Sequence, residues 1–302
     1  MSPDFEVVDP RFKRHLLGNC WVERLYTGTL WAEGPCYFAD GNFLVWSDIP
    51  NDRMMRWVDG LGVNVFRLPA NNTNGHTRDR QGRLVSCEHG ARRVTRTELD
   101  GRVTVLADCY QGKRLNSPND VVVKSDGSVW FTDPSYGIDS DYEGHKAESE
   151  IGACHVYRLD PTSGDLQVVA DDFAKPNGIA FSPDEQTLYV SDTGATHDPD
   201  GPHHIRAFDV ENGTRLRNGR EFAVCEHGLF DGFRLDTDGN LWTSAGEGVN
   251  CYTANGDLLG RIRIPEVVSN CTFGGPKRNR LFMTATTSLY AVYLNARGVQ
   301  SP

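Results

Sequence analysis

Asn119 to Trp130 reads NDVVVKSDGSVW, and Asp231 to Trp242 reads DGFRLDTDGNLW. Both set a polar residue before a short apolar stretch, place a DG turn at the same offset, and resume with a second apolar stretch. Four more segments fit the template: EGPCYFADGNFL from Glu33, NGHTRDRQGRLV from Asn74, NGIAFSPDEQTL from Asn177 and, more loosely, NCTFGGPKRNRL from Asn270. Their starting points are separated by 41, 45, 58, 54 and 39 residues. Self-similarity at such a period is the signature of a repeat architecture. Within each unit, short stretches rich in β-branched and aromatic residues are split by Gly, Asp, Asn or Pro, as in DVVVK, SVWFTD, CHVYRL and LQVVAD after Asn119. This is strand-and-hairpin chemistry. Six such units predict an all-β, six-bladed β-propeller with four antiparallel strands per blade. The sixth unit runs out after SLYAVYL, so WVERLYTGT at 21–29 is expected to supply its outer strand and close the ring through the N-terminal chain. The chain, 1–302, reads as a single propeller domain, with residues 1–20 as an N-terminal extension and blades beginning near 33, 74, 119, 177, 231 and 270.

Composition narrows the function. A formal net charge of −10 without a lysine or arginine block leaves no footprint for nucleic acid and no basic patch for a membrane surface. The opening MSPDFEVVDPRFKR lacks the apolar core of a secretory signal, and no apolar run is long enough to span a bilayer, so the expected location is the cytoplasm. Eight cysteines without CxxC pairs read, for the most part, as buried thiols rather than as a zinc site or a disulfide framework. A small or neutral partner is the expectation, and oligomeric state has no signature in the sequence.

In a propeller the first strand of each blade is innermost, so the residue just before it sits at one mouth of the central channel. Glu33, Asn74, Asn119, Asn177, Asp231 and Asn270 then form a polar ring of two carboxylates and four amides. Like charges brought together away from bulk water require a partner, and a bound cation supplies one. Such residues also cap turns, so turn chemistry is the alternative account. Oxygen-only ligands suit one hard divalent cation, Ca²⁺ first and Mg²⁺ next; Mn²⁺ and Zn²⁺ complete the set.

The motifs EGPCYFADG, RLNSPNDVVVKSDGSVWFTDPSYG, KPNGIAFSPDEQTLYVSD and DGFRLDTDGNLW resemble the gluconolactonase, senescence marker protein and luciferin-regenerating enzyme family of six-bladed propellers, over about residues 30 to 290. That resemblance implies hydrolysis of a sugar lactone to its aldonic acid. It places the divalent-metal ligands on Glu33, Asn119, Asn177 and Asp231, four of the six ring positions, and leaves Asn74 and Asn270 behind them or against substrate. Asp231 is the candidate general base, with Glu33 as the alternative, because a metal-bound carboxylate is a weakened base. Two other functions share the framework: hydrolysis of organophosphorus esters on the same metal cup, as in related propellers, and a calcium-binding propeller without catalysis.

Strand parity puts the connections between second and third strands on the same face as the ring. Two of these are long and polar, PSYGIDSDYEGHKAESEIGA at 134–153 and TGATHDPDGPHH at 193–204, and are expected to cover the site, with ordinary solvated loops as the alternative. Arg114 and Asn116 lead into Asn119 and are candidate donors to substrate, unless they form the turn that holds Asn119. His76 is expected to point inward by strand alternation, either as a proton-transfer group or as a satisfied core histidine. His89 and His227, each within CEHG, have no role beyond loop structure. Asp48, Asp133 and Asp192, in WSD, FTD and VSD, read as architectural.

Overall fold

A computed structural model describes residues 2–299. Each repeat folds into an antiparallel sheet whose strands neighbour one another in chain order. The first sheet runs from strand Ala32–Phe38 to Gly62–Arg67, the second from Thr73–Arg78 to Val103–Ala107, and the third from Val121–Val123 to Leu166–Phe173. The fourth runs from Pro176–Phe181 to Arg215–Val224, and the fifth from Phe233–Leu235 to Leu258–Arg263. The sixth holds Val268–Gly274, Arg280–Ala285 and Ser288–Tyr293, with Glu23–Thr27 from the start of the chain as its outer strand. First strands of neighbouring sheets touch all the way round, which makes a six-bladed propeller.

The expected ring closure is present: Glu23 pairs with Ala291 and Thr27 with Ser288. One feature of the fold departs from the expected count. Phe5–Val7 adds a fifth strand to the fifth blade, Phe5 opposite Ile262 and Val7 opposite Gly260. The reason lies in the residues that follow it. Phe12, on a 3-10 turn spanning Pro10–His15, is fully buried beside Trp242, and a Cβ on Gly260 would stand 2.3 Å from its ring. Phe5–Val7 therefore covers a blade edge that would otherwise offer unpaired N–H and C=O groups.

The turns of the third and fifth repeats need φ near +80°, and Gly127 (+84°) and Gly239 (+80°) provide it. Beyond those turns Trp130 and Trp242 occupy matching repeat positions and are fully buried between blades. Each indole N–H is satisfied, by Ser128 Oγ at 2.9 Å and by Asp236 Oδ2 at 3.0 Å.

The glycine that follows most ring positions has a packing cause. A Cβ on Gly75 would stand 2.4 Å from the carbonyl oxygen of Asn119, and one on Gly178 2.2 Å from that of Asp231. The inner strands approach so closely that the N–H of Gly75 donates to Asn119 O at 2.7 Å and that of Gly178 to Asp231 O at 3.0 Å. The second and fourth blades thus fix the backbones of the ring residues Asn119 and Asp231 on the blades that follow them.

The aspartates ending the second strands fix that backbone from the other side. Asp48 accepts from the N–H of Leu30 at 2.9 Å, Asp133 from those of Asn116 and Ser117, both at 2.9 Å, and Asp192 from those of Ala174 and Lys175 at 2.9 and 2.8 Å. The bonded residues stand two or three places before Glu33, Asn119 and Asn177. The WSD, FTD and VSD motifs are the brackets that hold the ring at the channel mouth.

Candidate active site

Glu33, Asn74, Asn119, Asn177 and Asp231 line one cavity of about 270 Å³ at the channel mouth. Asn270 stands behind them. Its Nδ2 donates to Glu33 Oε2 at 3.1 Å, and the N–H of Gly34 donates to the same oxygen at 2.6 Å. Glu33 Oε1 is left for the cavity. Asn177 Nδ2 donates to Thr193 Oγ1 at 3.2 Å. The Asn119 side chain has no hydrogen bond to another described residue. Glu33, Asn119 and Asn177 are buried, whereas Asp231 is partly open to the cavity.

Charge at this mouth is one-sided. Burial pushes the Glu33 carboxyl up despite its two donors, and Asp120 and Glu143 add repulsion. Asp231 is raised well above the carboxylate range by burial first, then by Glu33, Glu143 and Asp120. Among the described residues neither carboxylate forms a salt bridge. Two unneutralised carboxylates beside amide oxygens make a donor set that fits one hard divalent cation.

The loops at 134–153 and 193–204 contribute Tyr136 and Glu143, and Thr193 and Thr196, to the lining. Opposite them Trp31, Leu229, Val267 and Val268 give an apolar wall, which loop polarity alone did not predict.

Other candidates are placed elsewhere. Arg114 lies on a two-stranded ribbon, exposed, with its N–H donating to Glu150 Oε2 at 2.9 Å. It does not line the cavity. Asn116 spends its side chain on the 134–153 loop: Nδ2 donates to Asp133 O at 3.1 Å and Ala153 O at 2.8 Å, while Oδ1 accepts from Ser149 Oγ at 2.6 Å. It belongs to the turn that holds Asn119. His76 is fully buried between Ser47 Oγ at 2.8 Å and Ser86 Oγ at 2.9 Å, and burial pushes it down to about 3. That is the satisfied core histidine.

Two groups went unforeseen. Asp120, in the place most repeats give to glycine, is buried and pairs at 3.3 Å with Arg234, which also donates to Phe233 O at 2.7 Å. A larger opening of about 480 Å³ at the opposite mouth is lined by Arg234, so this ion pair lies between the two openings. That larger opening contains no ring residue, and its Arg80 is already paired with Glu185 at 2.9 Å. His89 is the second group. It is fully buried, with Nε2 3.2 Å from Asn74 Nδ2 and Nδ1 3.2 Å from Glu143 O. The signal for His89 was its CE-H-G context after the Asn74 repeat; the signal for Asp120 was the exception to glycine.

Residues 31–287 match the SMP-30/Gluconolactonase/LRE-like region. The chain is 33% identical to a gluconolactonase of Zymomonas mobilis, over 94% of this chain and 84% of that protein. It is 30% identical to a pentonolactonase of Haloferax volcanii, over 84% and 80% respectively. Among solved structures, a gluconolactonase from Xanthomonas campestris superposes with a TM-score of 0.90 at 42% identity, covering 96% of this chain and 94% of that one.

Proposed function

The chain belongs to the SMP-30/gluconolactonase/LRE-like family, and on that basis we propose that it is a lactonase that hydrolyses a sugar lactone to the aldonic acid with one divalent cation. The observation that carries the metal is the pair Glu33 and Asp231, facing one cavity with no cationic side chain among the described residues to neutralise them. Glu33, Asn119, Asn177 and Asp231 are the proposed ligands, and Ca²⁺ is the first candidate for an all-oxygen set. When bound, the cation polarises the ester carbonyl and stabilises the oxyanion formed as water adds.

The protein's own groups divide the remaining work. Glu33, with one oxygen fixed by Gly34 and Asn270, is suited to hold its position. Asp231, partly open to the cavity, is suited to take the proton of the attacking water, as the general base. Trp31 and Val267 offer an apolar surface to the C–H face of a sugar ring, while Thr193 and Thr196 offer hydroxyls to its polar edge.

The test is a panel of five- and six-membered aldonolactones followed by proton release, with unsubstituted lactones and a phosphotriester as comparators. Turnover of at least one aldonolactone well above its spontaneous opening is expected, with the phosphotriester slower. A preference for the phosphotriester, or no acceleration of any lactone, would overturn the reading.

A further inference from the structure

His89 is a buried side chain that the reaction outlined above does not use, and its surroundings fix its state. Burial pushes it down to about 4, so it is neutral near pH 7 and carries one N–H. Its Nδ1 faces the carbonyl oxygen of Glu143, which can only accept, so Nδ1 bears the hydrogen. Nε2 is then an acceptor, and what it accepts is the amide N–H of Asn74. The Asn74 amide is thereby oriented with nitrogen toward His89 and Oδ1 turned away. Asn74 Oδ1 is buried and has no hydrogen-bond partner among the described residues, although Asn74 lines the cavity.

The residue on the other side of His89 carries a second vacant acceptor. The Glu143 side chain is 23% exposed and lines the same cavity. Among the described residues its carboxylate receives no hydrogen bond, and the nearest cationic candidate is His89 Nδ1 at 3.9 Å, already committed to the backbone. Burial, and then Asp139, pushes the Glu143 carboxyl up to about 7. The segment that carries it is built rather than loose. The N–H of His145 donates to Gly137 O at 3.0 Å and that of Ala147 to Ile138 O at 3.0 Å, and a Cβ on Gly144 would stand 2.2 Å from Gly137 O. A buried acceptor left without a donor is costly, and Asn74 Oδ1 is one; the half-buried Glu143 carboxylate beside the same cavity also lacks a donor among the described residues, so both are arranged for donors that arrive with a ligand.

We propose that Asn74 Oδ1 and the Glu143 carboxylate form one acceptor site for hydroxyl groups of a sugar-derived substrate, with neutral His89 as the positioning residue that orients the Asn74 amide and anchors the Glu143 backbone. The identity of the substrate rests on the lactonase reading; the acceptor site itself rests on the geometry. It assigns the 134–153 loop a role in choosing polyhydroxylated over unsubstituted rings. Hydroxyls on the ring supply the missing donors, whereas a bare ring leaves both acceptors unsatisfied.

The test uses non-hydrolysable lactams, with the full chain equilibrated in excess Ca²⁺. Calorimetry gives the affinity for δ-gluconolactam and for δ-valerolactam, which has the same ring without hydroxyls. Wild type should favour gluconolactam. At pH 8.5, above the value to which Glu143 is pushed, Glu143→Ala should reduce that preference by on the order of tenfold to a hundredfold, the value of hydrogen bonds to a charged group, with Glu143→Gln in between. Asn74→Ala and His89→Phe should each reduce it by several-fold, a ratio that a merely packing role for His89 would not move. Equal preference in Glu143→Ala and wild type, or no preference in wild type, would overturn the site. Wild type that binds gluconolactam through Glu143 but opens no lactone removes only the lactonase reading. Wild type that opens gluconolactone, with its preference untouched by Glu143→Ala, does the reverse.

Discussion

Asp231→Asn should lower kcat/KM for lactone opening by roughly a thousandfold or more, in line with the loss of a proton acceptor compounded by loss of a metal ligand. The substitution keeps the size of the side chain and one carbonyl oxygen. It removes the negative charge and the basic oxygen that faces the cavity. Stability should move the opposite way. In metal-free protein Asp231 is raised by burial and by Glu33, Glu143 and Asp120, so its charge is a burden on the fold. A group whose folded pKa lies above its unfolded value contributes stability that is complete below the ordinary carboxyl range. That contribution is lost as pH rises through the raised value. Metal-free wild type should therefore weaken as pH climbs above about 4, and metal-free Asp231→Asn should lose less and melt higher near pH 8. Added Ca²⁺ should then stabilise wild type and leave the variant almost unmoved. Thermal melts at two pH values, with chelator or with Ca²⁺, check all of these. A variant less stable than wild type in chelator would mean that Asp231 is a structural carboxylate.

The second large effect lies below the site. Arg234→Met keeps much of the side-chain volume but leaves Asp120, 1% exposed, without its partner in the channel. Removing one member of a buried ion pair costs about 3–5 kcal/mol, because the remaining charge keeps its desolvation penalty. The cost should shrink on acidification. The double variant Arg234→Met with Asp120→Asn should regain much of the loss, since no charge is then left behind. Urea unfolding at pH 5 and pH 8 measures the effect; a loss under 1 kcal/mol at pH 8 would show that the pair does not stabilise the propeller.

The propeller was legible because its information is local and repeated. A polar residue, a strand and a turn recur at one offset in six places, and the closing strand Glu23–Thr27 was readable from the shortage in the last repeat. The ring around the channel followed from strand order alone. What the sequence hid was direction and long-range pairing. Arg114 and Asn116 lie within five residues of Asn119, yet the Asp133 bracket turns that segment toward the 134–153 loop rather than toward the cavity. His76 sits two residues after Asn74, but Ser47 and Ser86 occupy both ring nitrogens. Glu143 and His89 are 54 positions apart, and Asp120 and Arg234 are 114 apart, so neither pair leaves a pattern in any local window. The strand Phe5–Val7 is three residues long, too short for alternation to announce it.

The central claim is that Glu33, Asn119, Asn177 and Asp231 hold one divalent cation on which lactone opening depends. Returning Ca²⁺ stepwise to chelated protein, while bound metal and aldonolactone turnover are read on the same samples, tests it most directly. Turnover should be absent at the start, rise in proportion to occupancy, and saturate at one ion per chain. Full turnover in the metal-free protein, or activity restored without stoichiometric binding, would contradict it.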